Sequence, residues 1–118
     1  MTTILLVEDD PALRRALRTM MRSRDLDVTD VANGEEAIVI ASGGGADVML
    51  LDLGLPDVDG LTLYDEVASR WPDLPVLFST GHGDQNLLTK TPNGKKVGYL
   101  QKPYESDELL AALDELLG

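Results

Sequence analysis

Short apolar runs alternate with stretches in which apolar residues return at helical spacing, from one end of the chain to the other. The runs are Thr3–Val7, Val28–Ala32, Val48–Leu51, Pro75–Ser79 and Val97–Gln101. Each has the length of a strand. The first, third and fourth are apolar almost throughout, the pattern of strands covered on both faces. Between the first two runs, Asp10-Pro11 offers a helix N-cap followed by a proline where a missing N–H costs nothing. Leu13, Ala16, Leu17, Met20 and Met21 then form one apolar stripe. Asn33-Gly34-Glu35-Glu36 has the form of a capping box and predicts a second helix to about Ser42, ended by Gly43-Gly44-Gly45. Asp59-Gly60 opens a third, with Leu61, Tyr64, Val67, Ala68 and Trp71 inward and Pro72 as its stop. The last runs from Ser106 to Leu117, burying Leu109, Leu110, Leu113, Leu116 and Leu117. Asp84 to Lys90 has room for two turns, but Thr91-Pro92-Asn93-Gly94 is turn chemistry where a longer helix would continue. The pattern predicts an α/β fold of five parallel strands and five helices, the fourth short or disordered, joined by right-handed crossovers. A length of 118 residues with no repeat or linker suits a single domain over 1–118.

Composition narrows the function classes. With no cysteine there is no disulfide framework, thiolate metal site or cysteine nucleophile, which fits a reducing, cytoplasmic setting. No apolar run approaches the roughly 20 residues needed to cross a bilayer, and the N-terminal one is too short for a signal peptide. The net charge of −11 speaks against nucleic acid as a partner. Cations are clustered, however: Arg14, Arg15, Arg18, Arg22 and Arg24 in one early segment, and Lys90, Lys95 and Lys96 in another. They read either as solvated faces or as docking surfaces for an acidic protein partner.

The stretch ILLVEDD passes abruptly from four apolar residues to Glu8, Asp9 and Asp10. In open parallel α/β sheets ligands bind beyond the carboxyl ends of the strands. Glu8 and Asp9 follow the first run, Asp52 closes the third, Ser79-Thr80 ends the fourth and Lys102 follows the fifth. Three acids, a hydroxyl and a lysine would converge on one rim. Two carboxylates about 4 Å apart repel by about 4 kcal/mol at an effective dielectric of 20. One lysine and one divalent cation balance three acids, and an all-oxygen ligand set favours Mg²⁺. Phosphoryl transfer uses such a set, since its catalysis is mostly positioning and charge neutralisation. Asp52 is then the candidate nucleophile, with Thr80 donating to one phosphoryl oxygen and Lys102 pairing with another.

ILLVEDD, LLDLGLPDVDG, the Ser-Thr-Gly after the fourth run and GYLQKPY together resemble the receiver domains of two-component response regulators, over the whole chain. The resemblance implies a flavodoxin-like, doubly wound sheet of strand order 2-1-3-4-5. It implies that Asp52 takes a phosphoryl group from a phosphohistidine on a sensor histidine kinase or histidine phosphotransfer protein. Asp9 would hold Mg²⁺ directly, Glu8 largely through water, and the Gly54 carbonyl would supply a further ligand beside Asp52. Thr80 and Lys102 match the phosphoryl-sensing pair, and a cis peptide is implied between Lys102 and Pro103. Tyr99 matches the switch aromatic, which turns as Thr80 moves and alters the face of the fourth helix, fifth strand and last helix for a downstream protein partner. Arg14, Arg15 and Arg18 would meet the kinase.

PVLFSTGHG is also similar to a subgroup of single-domain receivers carrying Phe-Ala-Thr-Gly here, whose fourth helix is poorly formed. Residues 83–96 are therefore expected to be mobile until phosphorylation or partner binding. His82 reads as a loop residue at the site mouth. Rival readings are a flavin-binding protein, disfavoured because Glu8-Asp9-Asp10 would repel a phosphate, and a phosphorylation-independent docking module. A monomer or weak dimer is expected, either as a complete single-domain regulator, a phosphate sink or shuttle, or the receiver of a hybrid kinase.

Overall fold

Asp10 caps the first helix as its position before Pro11 predicts: its side chain accepts from the N–H groups of Ala12 and Leu13 at 3.0 and 3.4 Å. The computed structural model describes residues 2–44, 46–52, 60–81 and 97–117. Within them the order is β1 (Thr3–Val7), α1 (Pro11–Arg22), β2 (Asp27–Val31), α2 (Gly34–Ser42), β3 (Val48–Asp52), α3 (Gly60–Arg70), β4 (Val76–Thr80), β5 (Val97–Gln101) and a last helix, α4 (Ser106–Leu117). All strand pairs are parallel and the sheet order is β2-β1-β3-β4-β5. This is the flavodoxin-like doubly wound arrangement. The segment 83–96 predicted to hold a mobile fourth helix lies outside the described residues, as do Gly54 and His82.

Alternation along the strands divides the core into two layers. Leu5, Val7, Met49, Leu51 and Phe78 face α2 and α3, meeting Ala37, Ala41, Leu63 and Val67. Ile4, Leu6, Val48, Leu50 and Leu77 face α1 and α4, meeting Leu17, Met21, Leu109 and Leu113. Both faces of β1, β3 and β4 are thus covered, which is why these runs carry almost no polar residues. Among the described residues no helix is long and apolar enough to cross a membrane.

The capping box of α2 forms with a variation. Asn33 accepts from the Glu36 N–H at 2.9 Å, and the Glu36 carboxylate reaches back to the N–H of Ala32 at 3.0 Å. The helix stripes hold with local differences. Leu63 is fully buried in α3 although the predicted stripe ran through Leu61 and Tyr64, which lie at the edge of that face. Ala16 and Leu117 are exposed, Leu117 because it ends the last turn of α4.

Candidate functional site

The strand alternation that orders the core also decides which acids face the same way at the sheet's carboxyl edge. Glu8 continues the phase of Ile4 and Leu6, and Asp52 the phase of Val48 and Leu50. Both therefore point to the side covered by α1 and α4. Val7 pairs with Leu51, so Glu8 and Asp52 are the next residues in register on neighbouring strands. Ser79, paired with Asp52 across β3 and β4, adds a hydroxyl to the same row.

Lys102 reaches this row from beyond β5. Its Nζ donates to Glu8 Oε1 at 3.0 Å and lies 3.5 Å from Asp52 Oδ2. Its backbone N–H donates to the carbonyl of Thr80 at 2.7 Å, which ties the chain after β5 to the end of β4. The Lys102–Pro103 peptide is cis, in agreement with the resemblance.

The three acids of the opening stretch have separate environments. Glu8 is buried, 2% exposed, and its N–H donates to the Val31 carbonyl at 3.1 Å. Asp10 is spent on the α1 cap. Asp9, between them, is exposed. Carboxylate oxygens of Glu8, Asp9 and Asp52 all lie within 4.8 Å of one another. At that distance two charges repel by about 3.5 kcal/mol at an effective dielectric of 20, and Lys102 offsets only one of the three negative charges. The strain shows at Glu8. Burial, and next the close approach of Asp52, push its carboxyl up to about 8, while Lys102 works the other way. Burial opposes the charge on Lys102, but the bond to Glu8 and the charge of Asp52 outweigh it and raise its pKa. Glu8 Oε2 is buried and has no hydrogen-bond partner among the described residues.

A cation fits this arrangement. The unpartnered Glu8 oxygen is an acceptor awaiting a positive group, and the donor set is all oxygen, the preference of Mg²⁺. Two oxygens on one Mg²⁺ stand at most about 4.2 Å apart, since each bond is about 2.1 Å. A separation of up to 4.8 Å therefore suits a cation that holds some of these acids directly and another through water.

The remaining predicted residues divide. Thr80 is 1% exposed at the end of β4, on the opposite face from Ser79. Tyr99 is 38% exposed on the edge strand β5 and stacks on Phe78, with ring centroids 5.7 Å apart and planes 14° from parallel. Phe78 also meets Tyr64 at 5.4 Å. Gly54 and His82 lie outside the described residues.

The arginine cluster departs most from the sequence reading. Arg14 and Arg18 turn back onto Asp30 of β2 with contacts of 3.2 and 3.1 Å, and Arg22 donates to the Val28 carbonyl at 3.1 Å. Arg14 and Arg18, two of the three arginines that the resemblance turns toward a kinase, are thus also paired within the fold while 23% and 33% of their side chains stay exposed. Asp30 was missed, yet alternation offered the signal. It shares the phase of Val28, which is buried under α1, and a carboxylate there requires a cationic partner. Ser79, named only as a strand end, and Tyr104, named only within GYLQKPY, were given no role of their own. Their hydroxyl oxygens are buried without a hydrogen-bond partner among the described residues, although the two are close enough for Ser79 to act on the Tyr104 phenol, which burial pushes up.

The family model of the response regulator receiver domain matches residues 4–114. The chain belongs to this family, the phosphoacceptor signalling modules of two-component systems. It is 33% identical over 117 residues to the sensor kinase CckA of Brucella abortus, covering 98% of this chain and 12% of that protein. The crystal structure of the receiver domain from hybrid histidine kinase CckA is similar at 29% identity and a TM-score of 0.81, covering 98% of this chain and 99% of that one. The response regulator TrrA of Thermotoga maritima, solved in complex with Mg(2+)-BeF, is similar at 26% identity and a TM-score of 0.86, covering 99% and 100%. The chain spans 12% to 48% of the length of three curated relatives that it matches at 33% identity.

Proposed function

We propose that Asp52 is the phosphoacceptor of this receiver, and that it takes its phosphoryl group from a phosphohistidine of a sensor histidine kinase or phosphotransfer protein. An oxygen of the Asp52 carboxylate attacks phosphorus, a P–O bond forms as the P–N bond to the histidine breaks, and the departing imidazole keeps the electron pair and takes up a proton. The observation that carries this reading is the bridge made by Lys102, which contacts Glu8 and Asp52 across the rim at 3.0 and 3.5 Å. A lysine so placed can leave one carboxylate oxygen of Asp52 and follow the charge as it moves to the phosphoryl oxygens.

Glu8, Asp9, Asp52 and the Gly54 carbonyl would hold Mg²⁺, Glu8 largely through water. The cation, when bound, neutralises the charge that builds on the phosphoryl oxygens. The acid cluster and the unpartnered Glu8 oxygen support that assignment. Thr80 donates to a phosphoryl oxygen. Its movement frees Tyr99 to leave its outward stack on Phe78, and a downstream protein reads the altered face. The unit that does this is a single receiver domain spanning 1–118. Trading a phosphohistidine for an acyl phosphate makes the chain an acceptor that switches, not a turnover enzyme.

Incubation with a small acyl phosphate and Mg²⁺ tests the reading. Intact mass should rise by one phosphoryl group in the wild type, and not in Asp52→Asn or when Mg²⁺ is chelated. An unmodified wild type, or a modified Asp52→Asn, overturns it.

A further inference from the structure

The backbone at Glu8 is held on one side by the end of β2 and on the other by Arg14 of α1. Its N–H donates to the Val31 carbonyl at 3.1 Å. Its carbonyl accepts from Arg14 Nη1 at 3.0 Å, and the same guanidinium donates through Nε to Asp30 Oδ2 at 3.2 Å. Asp30 is in turn held by Arg18, whose Nη1 lies 3.1 and 3.2 Å from its two carboxylate oxygens. One turn of α1 thus presents Arg14 to two neighbours, one in β2 and one in the acidic stretch. The planar fork suits this, since separate N–H groups serve separate acceptors in one rigid geometry. Arg14 is half-buried, with 23% of its side chain exposed, so its bonds are less screened than those of a surface arginine.

From this we infer that Arg14 is a positioning residue for the acidic rim, fixing the Glu8–Asp9 peptide so that both carboxylates are set for the cation. The inference rests on the reading of Glu8 and Asp9 as Mg²⁺ ligands. Glu8 is held at its side chain by Lys102 and at its backbone by Val31 and Arg14. Asp9 is exposed and takes its position from the backbone that Arg14 holds. Loss of the guanidinium leaves the Glu8 carbonyl without this donor and frees the peptide to rotate. The cost then falls on cation affinity, as it does for groups that orient metal ligands from behind. A residue that served only to dock a kinase would have no such effect, because a small phosphodonor needs no docking.

The test measures Mg²⁺ affinity by titration calorimetry, and phosphorylation by a small acyl phosphate across Mg²⁺ concentrations, in wild type, Arg14→Ala, Arg14→Lys and the exposed control Arg70→Ala. Urea denaturation of each Mg²⁺-free variant establishes that it folds. Arg14→Ala is expected to weaken Mg²⁺ binding on the order of 10-fold, the lower end for second-layer changes. Its phosphorylation should slow at low Mg²⁺ and recover at saturating Mg²⁺. Arg14→Lys keeps the charge but reaches one acceptor at a time, so it should fall between Arg14→Ala and wild type, while Arg70→Ala matches wild type. Folded Arg14→Ala with wild-type Mg²⁺ affinity overturns the inference and leaves the phosphoacceptor reading standing. So does a slowed variant that saturating Mg²⁺ does not rescue. If Arg14→Ala does not fold, Arg14→Lys carries the test, and its wild-type affinity for Mg²⁺ overturns the inference. A wild type that binds no Mg²⁺ or takes no phosphoryl group defeats the underlying reading instead.

Discussion

Glu8→Gln should stabilise the Mg²⁺-free protein, by an amount that grows with pH. The carboxyl of Glu8 ionises at about 8 in the fold, against an ordinary value of 4.5, because burial and Asp52 disfavour its charge. A group whose folded pKa is raised lends stability that is fully present below its unfolded pKa and lost as pH rises through the folded one. For Glu8 that window runs from about 4.5 to about 8. Each pH unit in the window is worth about 1.4 kcal/mol, so at pH 7 the loss is about 3 kcal/mol, and at pH 5 it is under about 1 kcal/mol. Glutamine never ionises. It keeps an oxygen to accept from Lys102 and puts an N–H₂ where Glu8 Oε2 has no partner among the described residues. The variant therefore escapes the loss. In a domain this size about 3 kcal/mol corresponds to a Tm shift on the order of 10 °C. Urea and thermal denaturation in chelator at pH 5, 7 and 8.5 measure it. A stability gap that is the same at pH 5 and pH 8.5, or a Glu8→Gln protein less stable than wild type at pH 7, refutes the reasoning.

Other changes follow from the same packing. Leu63→Ala removes a fully buried side chain between α3 and the sheet and should cost about 2 to 5 kcal/mol in urea denaturation. Asp30→Ala strips two partly buried arginines of their shared partner and should destabilise by about 1 to 3 kcal/mol, a loss that high salt only partly masks. Ser79→Ala deletes a buried hydroxyl that makes no hydrogen bond among the described residues, so denaturation should show it neutral or more stable by up to about 1 kcal/mol. A loss of more than about 1 kcal/mol would mean that Ser79 Oγ is bonded in solution.

Much of the fold was legible because period and burial agree. Thr3–Val7 and Val97–Gln101 were bounded as they stand, and Asp10-Pro11 and Asn33-Gly34 cap the helices that they open. The order of the strands came from the family resemblance, since apolar runs do not say which neighbours pair. Leu63 was left out of the inward stripe because Leu61 and Tyr64 also fit helical spacing, and only the sheet decides which side of that stripe is central. At the rim, the rule that ligands gather at strand ends brought Glu8, Asp52, Thr80 and Lys102 to one edge. It did not separate Glu8 from Asp9, which are adjacent in sequence but buried and exposed in the fold. Strand alternation separates them, because Glu8 keeps the inward phase of Leu6. The commitment of Arg14 and Arg18 to Asp30 was illegible for another reason. An arginine on a helix face looks the same in sequence whether it meets solvent or a carboxylate of the neighbouring strand.

Reductive mapping asks most directly whether one aspartate carries the chemistry. The protein is incubated with a small acyl phosphate and Mg²⁺, then treated with borohydride, which reduces an aspartyl phosphate to homoserine, and the peptides are sequenced by mass. Homoserine at position 52, and at no other aspartate, is the predicted result. Homoserine at Asp9 or Asp10, or at no position in a protein that has gained the phosphoryl mass, would contradict the account.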